Sequence, residues 1–370
     1  MKQRIVWIDF ARTVAIIAIV ANHAISRVFM NYADQYVEFA NQDLHSQVFK
    51  SIVTTFSWLG VPLFLMITGA LILNKSFETE EDIKYFYQHN WIRLVIATII
   101  WGIIGYIYRT LVLYPTNHFL LNDWCIGLIQ NVFYINKNEF GSFWYTNMLV
   151  FIYTLLPVIN VYLKKFTCKS LLMPLFLIFV AGIFIPTINK YLVMADLPTY
   201  SFSLLSNVRF QTFQMSEFVA LLYVVIGYMI NNGALYHLGT KKNAIYFILF
   251  FTVTCFLQLY GYSHTYDFVT GYNSIGICIS SILLFNYIRQ RANSISRKDI
   301  FERIAIRAFG IYEIHIIVLE TIFKYTQWNI LFINHVTTAS LFIIVPMIIS
   351  WLIILLLERS KKLREYMLFE

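Results

Sequence analysis

Two side chains on the first apolar segment of the chain have types and a spacing that suit chemistry inside a membrane. Arg12 and His23 are 11 residues apart, and at about 100° per residue this spacing puts them on one face of a helix, about 16 Å apart along its axis. A guanidinium can hold a phosphate, and an imidazole can act as a general base. The pair therefore suits a donor with an anionic head and a long, thin arm whose reactive end reaches His23.

The same two residues also allow a structural interpretation. Arg12 can be a cation that extends to the membrane boundary, and His23 can be a hydrogen-bonded residue packed within a helical bundle. Asp9 lies three residues before Arg12, which is a spacing at which oppositely charged side chains pair on a helix. The spacing alone leaves both interpretations open.

The composition requires the elements that hold these residues to be membrane helices. Of the 370 residues, 59% are hydrophobic and only 13% are charged, against about 45–50% apolar and about 25% charged residues in soluble domains. A water-soluble enzyme and a disordered chain are therefore excluded. The apolar runs are continuous rather than alternating, which excludes a transmembrane β-barrel.

The apolar runs predict an all-α, polytopic membrane protein with about ten transmembrane helices. The predicted spans are roughly 5–30, 49–73, 91–114, 143–163, 171–188, 217–231, 243–262, 270–288, 303–325 and 335–357. Lysine and arginine are concentrated in alternate connections, which predicts that both termini are cytoplasmic. No linker or composition shift divides residues 1–370, so we expect a single transmembrane domain.

This orientation predicts the depth of His23. Counted from Ile5, His23 lies about 27 Å along the helix, in the outer part of the hydrocarbon core. A second substrate, which would react with the end of the donor arm at His23, would then approach from outside. The donor would enter from the cytoplasm near Arg12.

Other polar residues in or near the spans are further candidates, each with a structural alternative. Arg93 can bind donor phosphates or anchor a helix at the cytoplasmic boundary. Tyr312 and His315 share a helix face and can bind substrate or join two helices. Glu313 and Glu320 also share a face and require a cation or proton as partner. Trp144 and Tyr145 can bind substrate, but such a pair more often marks an interfacial aromatic belt.

Several kinds of site have no support in the sequence. The four cysteines show no metal-ligand spacing, so we expect no metal. The net charge of +8 is explained by basic cytoplasmic loops, so we expect no nucleic-acid partner.

At these residues the sequence resembles the acyltransferase-3 family of integral membrane O-acyltransferases. The family's first helix carries a basic residue, ten intervening residues and a histidine, as Arg12 and His23 do here. Further matching stretches occur in the family's order: Val61–Gly69, Arg93, Ser142–Tyr145 with Tyr153 and Pro157, and Phe309–His315. Ser142, Asn90 and Ala308 stand where the family often has His, Arg and Ser.

The resemblance implies an acyl-CoA donor, usually acetyl-CoA, and a hydroxyl acceptor on a glycan of the bacterial cell envelope. It implies the bacterial inner membrane as location, with acyl-CoA, the glycan and membrane lipids as partners. The length of 370 residues leads us to expect the single-domain type. We predict His23 and Asp9 as catalytic residues, Arg12 and Arg93 as donor-binding residues, and Trp144, Tyr145, Tyr312 and His315 as substrate-binding residues.

Two other functions remain as alternatives from the residues alone. The first is a transporter or flippase for a lipid-linked sugar, whose path the intramembrane charges would line; many transporters have repeated halves, which we do not find here. The second is a structural membrane protein, which would not require Arg12 and His23 on one face.

Overall fold

The computed structural model describes residues 5–29, 42–115, 121–133, 143–166, 168–195, 197, 217–263, 271–291, 294, 298–326 and 334–368. These residues are almost entirely helical, and no strand occurs among them. In chain order the helices are α1 (Val6–Val28), α2 (Leu44–Ser57), α3 (Gly60–Ile72), α4 (Glu80–Phe86), α5 (Ile92–Tyr108), α6 (Leu121–Val132), α7 (Trp144–Lys165), α8 (Leu172–Phe179), α9 (Ile185–Met194), α10 (Glu217–Asn231), α11 (Thr240–Ser263), α12 (Ile275–Gln290), α13 (Lys298–Ile306), α14 (Ala308–Tyr325), α15 (His335–Leu357) and α16 (Lys361–Met367).

Several of these helices are long and apolar enough to cross a bilayer, which confirms the predicted all-α membrane fold. Among the described residues there are 7 such stretches: Val6–Val28, Leu44–Ile72, Glu80–Leu113, Trp144–Lys165, Leu172–Met194, Thr240–Ser263 and His335–Leu357. Three further helices lie largely within predicted spans but are not among the seven. Helices α10 and α12 are apolar but shorter, and α14 carries three charged residues, Glu313, Glu320 and Lys324. The count of ten spans and the sides of the termini therefore stay predictions.

Three of the predicted spans differ from the observed helices by more than a small shift at their ends. The second span is broken between α2 and α3 by a turn at Trp58 and Leu59. The third is the end of a longer helical stretch, because Thr79 and Asp82 form a capping box that starts α4 in a charged segment. The ninth is broken at Arg307, between α13 and α14.

Helix α1 lies at the centre of the bundle. It packs against α2, α3, α12, α13, α14 and α15. The small side chains of Ala11, Ala15 and Ala18 are completely buried, and small residues let membrane helices approach closely. Arg12 and His23 are thus both carried by a helix that is held in place by six neighbouring helices.

Helices α3 and α10 cross in close contact through two glycines. A Cβ atom added to Gly69 would lie 1.8 Å from the carbonyl oxygen of Val224, and one added to Gly227 would lie 2.1 Å from that of Met66. Neither position has room for a side chain, so the glycines set the distance between the helices. This contact holds α3, which forms one wall of the site described below.

Candidate active site

A cavity of about 430 Å³ lies inside the bundle, between α1, α3, α5, α7, α13 and α14. Arg12 is its basic residue, and most of the remaining lining is apolar. The side chains with polar groups that line it with Arg12 are Thr68, Tyr145, Tyr153 and Tyr312, and the apolar ones are Phe64, Ile67, Leu71, Ile72, Leu94, Leu149, Ala305, Ile306, Ala308, Phe309 and Leu368. The cavity therefore offers one fixed cation and a largely apolar channel.

His23 lies beyond the lining of this cavity and is connected to it by a row of aromatic rings. The ring centroids of Tyr145 and Tyr312 are 5.3 Å apart, those of Tyr312 and His315 are 5.8 Å apart, and those of His315 and His23 are 5.2 Å apart. The structure thus brings His23, His315, Tyr312 and Tyr145 together at one end of the cavity that Arg12 lines.

His315 has a defined tautomer. Its ring is completely buried, and its Nδ1 lies 3.0 Å from the carbonyl oxygen of Ile311. A carbonyl oxygen can only accept, so Nδ1 carries the hydrogen and Nε2 of the neutral ring keeps its lone pair. Nε2 has no hydrogen-bond partner within the described part of the chain. His315 therefore presents a basic nitrogen beside His23.

Arg12 is oriented by the carboxylate one turn before it. Nη1 of Arg12 lies 3.6 Å from Oδ1 of Asp9, as the spacing predicts. The side chain of Arg12 remains 34% exposed and lines the cavity. Asp9 is 14 residues before His23, about 21 Å along the axis, so its predicted catalytic role would be exerted through Arg12.

Arg93 lies at the edge of the cavity and is paired with another residue of the chain. Its Nη2 donates to Oε1 of Glu365 over 2.7 Å, and the next residue, Leu94, lines the cavity. The indole N–H of Trp101 donates to the carbonyl oxygen of Met367 over 2.8 Å. These bonds hold α16 and Leu368 against the cavity, so a donor contact by Arg93 would compete with Glu365.

Trp144 and Tyr145 face the interior of the bundle. Trp144 is 3% exposed and Tyr145 is 5% exposed, whereas a belt residue would face the lipid interface. The ring of Trp144 lies against Tyr145, at 6.0 Å, and against Tyr272, at 5.5 Å. Tyr145 lines the cavity directly, and Trp144 supports it from behind.

The sequence does not indicate the partners of the buried Glu313 and Glu320, and the structure identifies the partner of Glu320. Glu320 forms an ion pair with Arg27, which lies four residues after His23. The pair joins α14 to α1 next to the two histidines. Glu313 is completely buried and lies beside Thr146 of α7.

Thr68, Tyr153 and Leu368 are among the cavity residues to which the sequence assigned no role. Thr68 belongs to the matching stretch Val61–Gly69, and Tyr153 is one of the two downstream residues that match together with Ser142–Tyr145, so the motifs already indicated both. Leu368 lies outside every motif and reaches the cavity only because α16 folds back. In the described segments, no three His, Cys, Asp or Glu side chains group as metal ligands.

The match to a known family covers nearly the whole chain. The family described as "Acyltransferase domain" matches residues 5–355, which include every residue of the site except Glu365, Met367 and Leu368. No curated protein and no solved structure matches the chain. The chain therefore belongs to the acyltransferase-3 family and is a multi-pass membrane acyltransferase.

Proposed function

We propose that the protein transfers an acetyl group from cytoplasmic acetyl-CoA to a hydroxyl group of a cell-envelope glycan in the bacterial inner membrane. The support is the row of rings from Tyr145 to His23, which joins the end of the Arg12 cavity to two imidazoles. A cation at one end, an apolar channel and bases at the other match a donor with phosphates, a thin arm and a terminal thioester.

The donor enters at the end of the cavity where α13 meets α14. Its phosphates pair with the Arg12 guanidinium, which Asp9 orients. The arm runs between Leu149 and Phe309, and the thioester reaches Tyr145 and Tyr312. The mostly apolar lining keeps water away from the thioester and so limits its hydrolysis.

His23 acts as general base on the acceptor. Its imidazole takes the proton of the hydroxyl group while the oxygen attacks the thioester carbonyl carbon. The tetrahedral intermediate then expels the CoA thiolate, which receives the proton from the imidazolium. An ester and free CoA result, with no net uptake or release of protons.

His315 supplies the second imidazole. With Nδ1–H fixed on the carbonyl oxygen of Ile311, its Nε2 can accept a hydrogen bond from the N–H of His23 or from the acceptor hydroxyl. A bond from the N–H of His23 leaves the other ring nitrogen of His23 with its lone pair, as a general base needs, whereas a bond from the hydroxyl would let His315 take the proton instead. A covalent acyl-His23 intermediate is the second route, and rapid quenching followed by peptide mass spectrometry would reveal the added acetyl group.

Acetyl transfer in vesicles tests the proposal. Purified His23→Ala protein, supplied with radiolabelled acetyl-CoA and an envelope glycan extract, should lose about 10²–10⁴-fold in rate. The matched control is His237→Ala, because His237 is exposed on a turn outside the cavity, and it should keep the wild-type rate. Wild-type transfer by His23→Ala would contradict the proposed chemistry.

A further inference from the structure

A second cavity, of about 510 Å³, lies on the outside of the bundle between α13, α14 and α15. Its lining is almost wholly apolar and includes Ile17 of α1, Ile343 and Ile348 of α15, and Arg303 at one end. We call it the outer groove. Ile344 and Ile348 are 52% and 51% exposed, so the groove opens to the hydrocarbon that surrounds a membrane helix.

The outer groove is elongated and has one polar end. From Ile343 to Trp351 it follows α15 over nine residues, which span about 12 Å along the helix axis. The Trp351 end of the groove lies near the C-terminus of α15 and near α13. Helix α13 in turn contacts the Arg12 end of α1, because the ring centroids of Phe10 and Phe301 are 4.7 Å apart. The groove thus runs from that membrane boundary into the apolar core.

Arg303 and Trp351 lie at the polar end of the groove, and Arg303 is the one of the two whose polar group is accessible to a ligand. Arg303 lines the groove, is exposed, and forms no ion pair with an acidic side chain of the described residues. The nearby Arg307 differs, because Glu358 neutralises it over 2.7 Å. The indole N–H of Trp351 is buried at the groove and has no hydrogen-bond acceptor in the segments that the structure describes.

We propose that the outer groove binds one anionic glycerophospholipid from the leaflet at the Arg12 end of the bundle. An acyl chain lies along α15 from Ile348 to Ile343, and the phosphate lies at Arg303, near the side chain of Trp351. A single cation at the mouth of an apolar groove matches an amphiphile with one negative charge and a chain.

The bound lipid would support the wall of the donor cavity. Ile304 and Ile311 line the outer groove, whereas Ile306 and Tyr312 line the inner cavity. Helices α13 and α14 therefore separate the two spaces, and a filled groove restrains both helices from behind. This coupling to transfer rests on the proposed function, but the binding site itself does not.

Lipid retention measured by native mass spectrometry tests the site. The detergent-purified protein, titrated with phosphatidylglycerol or phosphatidylcholine, should retain phosphatidylglycerol more tightly. Arg303→Gln should weaken that retention about fivefold, and Ile348→Trp, which fills the groove, should weaken retention of both lipids. The control Arg291→Gln removes an exposed cation outside the groove and should change nothing. Equal retention by wild type and both groove variants would overturn the site.

Two further comparisons separate the parts of the proposal. Soluble glycerol 3-phosphate should not raise the Tm of the protein, and a rise equal to that with phosphatidylglycerol would overturn the need for a chain. In vesicles, adding phosphatidylglycerol to phosphatidylcholine should increase acetyl transfer by wild type but not by Arg303→Gln. Loss of retention with unchanged transfer confirms the site and overturns the coupling, whereas absence of any transfer by wild type contradicts the proposed function alone.

Discussion

Among single residues, His315 decides whether His23 has a second polar group to assist it in proton transfer. Its fixed Nδ1–H, and an Nε2 with no hydrogen-bond partner among the described residues, are the features of a base or hydrogen-bond acceptor. If His315 only packed α14 against α1, an apolar ring of similar size would replace it at little cost to the chemistry.

We therefore expect His315→Phe to lower kcat while leaving the KM for acetyl-CoA nearly unchanged. The reason is that the donor phosphates bind at Arg12, and His315 acts at the other end of the cavity. A loss of about 10²-fold is expected for a group that assists proton transfer. Steady-state kinetics in vesicles measures both constants, and a variant with normal kcat would show that His315 is only a packing residue.

Replacement of Arg12 should affect the binding of acetyl-CoA rather than kcat. Arg12→Gln should weaken acetyl-CoA binding about ten- to one-hundred-fold, because a hydrogen bond to a charged group contributes about 1.5–3 kcal/mol. Asp9→Asn should have a smaller effect of the same sign, since Asp9 orients Arg12 and lies far from His23. Isothermal titration of CoA measures these affinities, and unchanged binding by Arg12→Gln would remove Arg12 from the donor site.

At the scale of elements, two glycines decide how closely α3 and α10 cross. Gly227→Ala should destabilise the protein by about 1–3 kcal/mol, because the new Cβ would overlap the carbonyl oxygen of Met66. Gly102→Ala is the matched control, since its Cβ would make an ordinary contact of 3.6 Å with Val132. Thermal unfolding in micelles compares them, and equal stabilities would mean that the crossing adjusts freely.

The pairing of α5 with α16 can be tested by exchanging charges. Arg93→Glu should release α16 and change donor binding, because Leu368 lines the cavity. The double variant Arg93→Glu, Glu365→Arg should recover much of the loss if Arg93 serves as the anchor of α16. CoA affinity is the measurement, and a double variant as weak as the single one would indicate instead that Arg93 contacts the donor itself.

The helices themselves could be predicted from the sequence, whereas some of the contacts between them could not. Hydropathy predicted the long helices, because a continuous apolar run has one solution in a bilayer. The shared face of Arg12 and His23 followed from helix geometry alone. The partner of Glu320 and the folding back of α16 could not be predicted, since Arg27 and Leu368 meet the site through contacts between helices far apart in sequence.

The break between α13 and α14 was missed for a related reason. Residues 303–325 were predicted as one span because hydropathy does not register a local change in direction. Arg307 lies at that break and is neutralised by Glu358 of a distant segment, so the contact that fixes it appears only in the folded chain.

At the scale of the whole molecule, the distribution of basic residues predicts a single orientation in the membrane. Cys125 is exposed on α6, in a connection that this orientation places outside. In a variant whose other cysteines are replaced by serine, a membrane-impermeant maleimide should label Cys125 on intact cells. Lys362→Cys in a cysteine-free chain should be labelled only after the membrane is opened, and the reverse pattern would invert the proposed donor and acceptor sides.

The proposed chemistry requires one donor molecule to span the inner cavity from Arg12 toward His23. A structure determined by electron cryo-microscopy with a non-transferable thioether analogue of acetyl-CoA tests it most directly. We expect the phosphates within hydrogen-bonding distance of the Arg12 guanidinium and the sulfur atom beyond Tyr312, facing His315 and His23. Density for the analogue elsewhere on the protein, or a His23 ring turned toward lipid, would contradict the account.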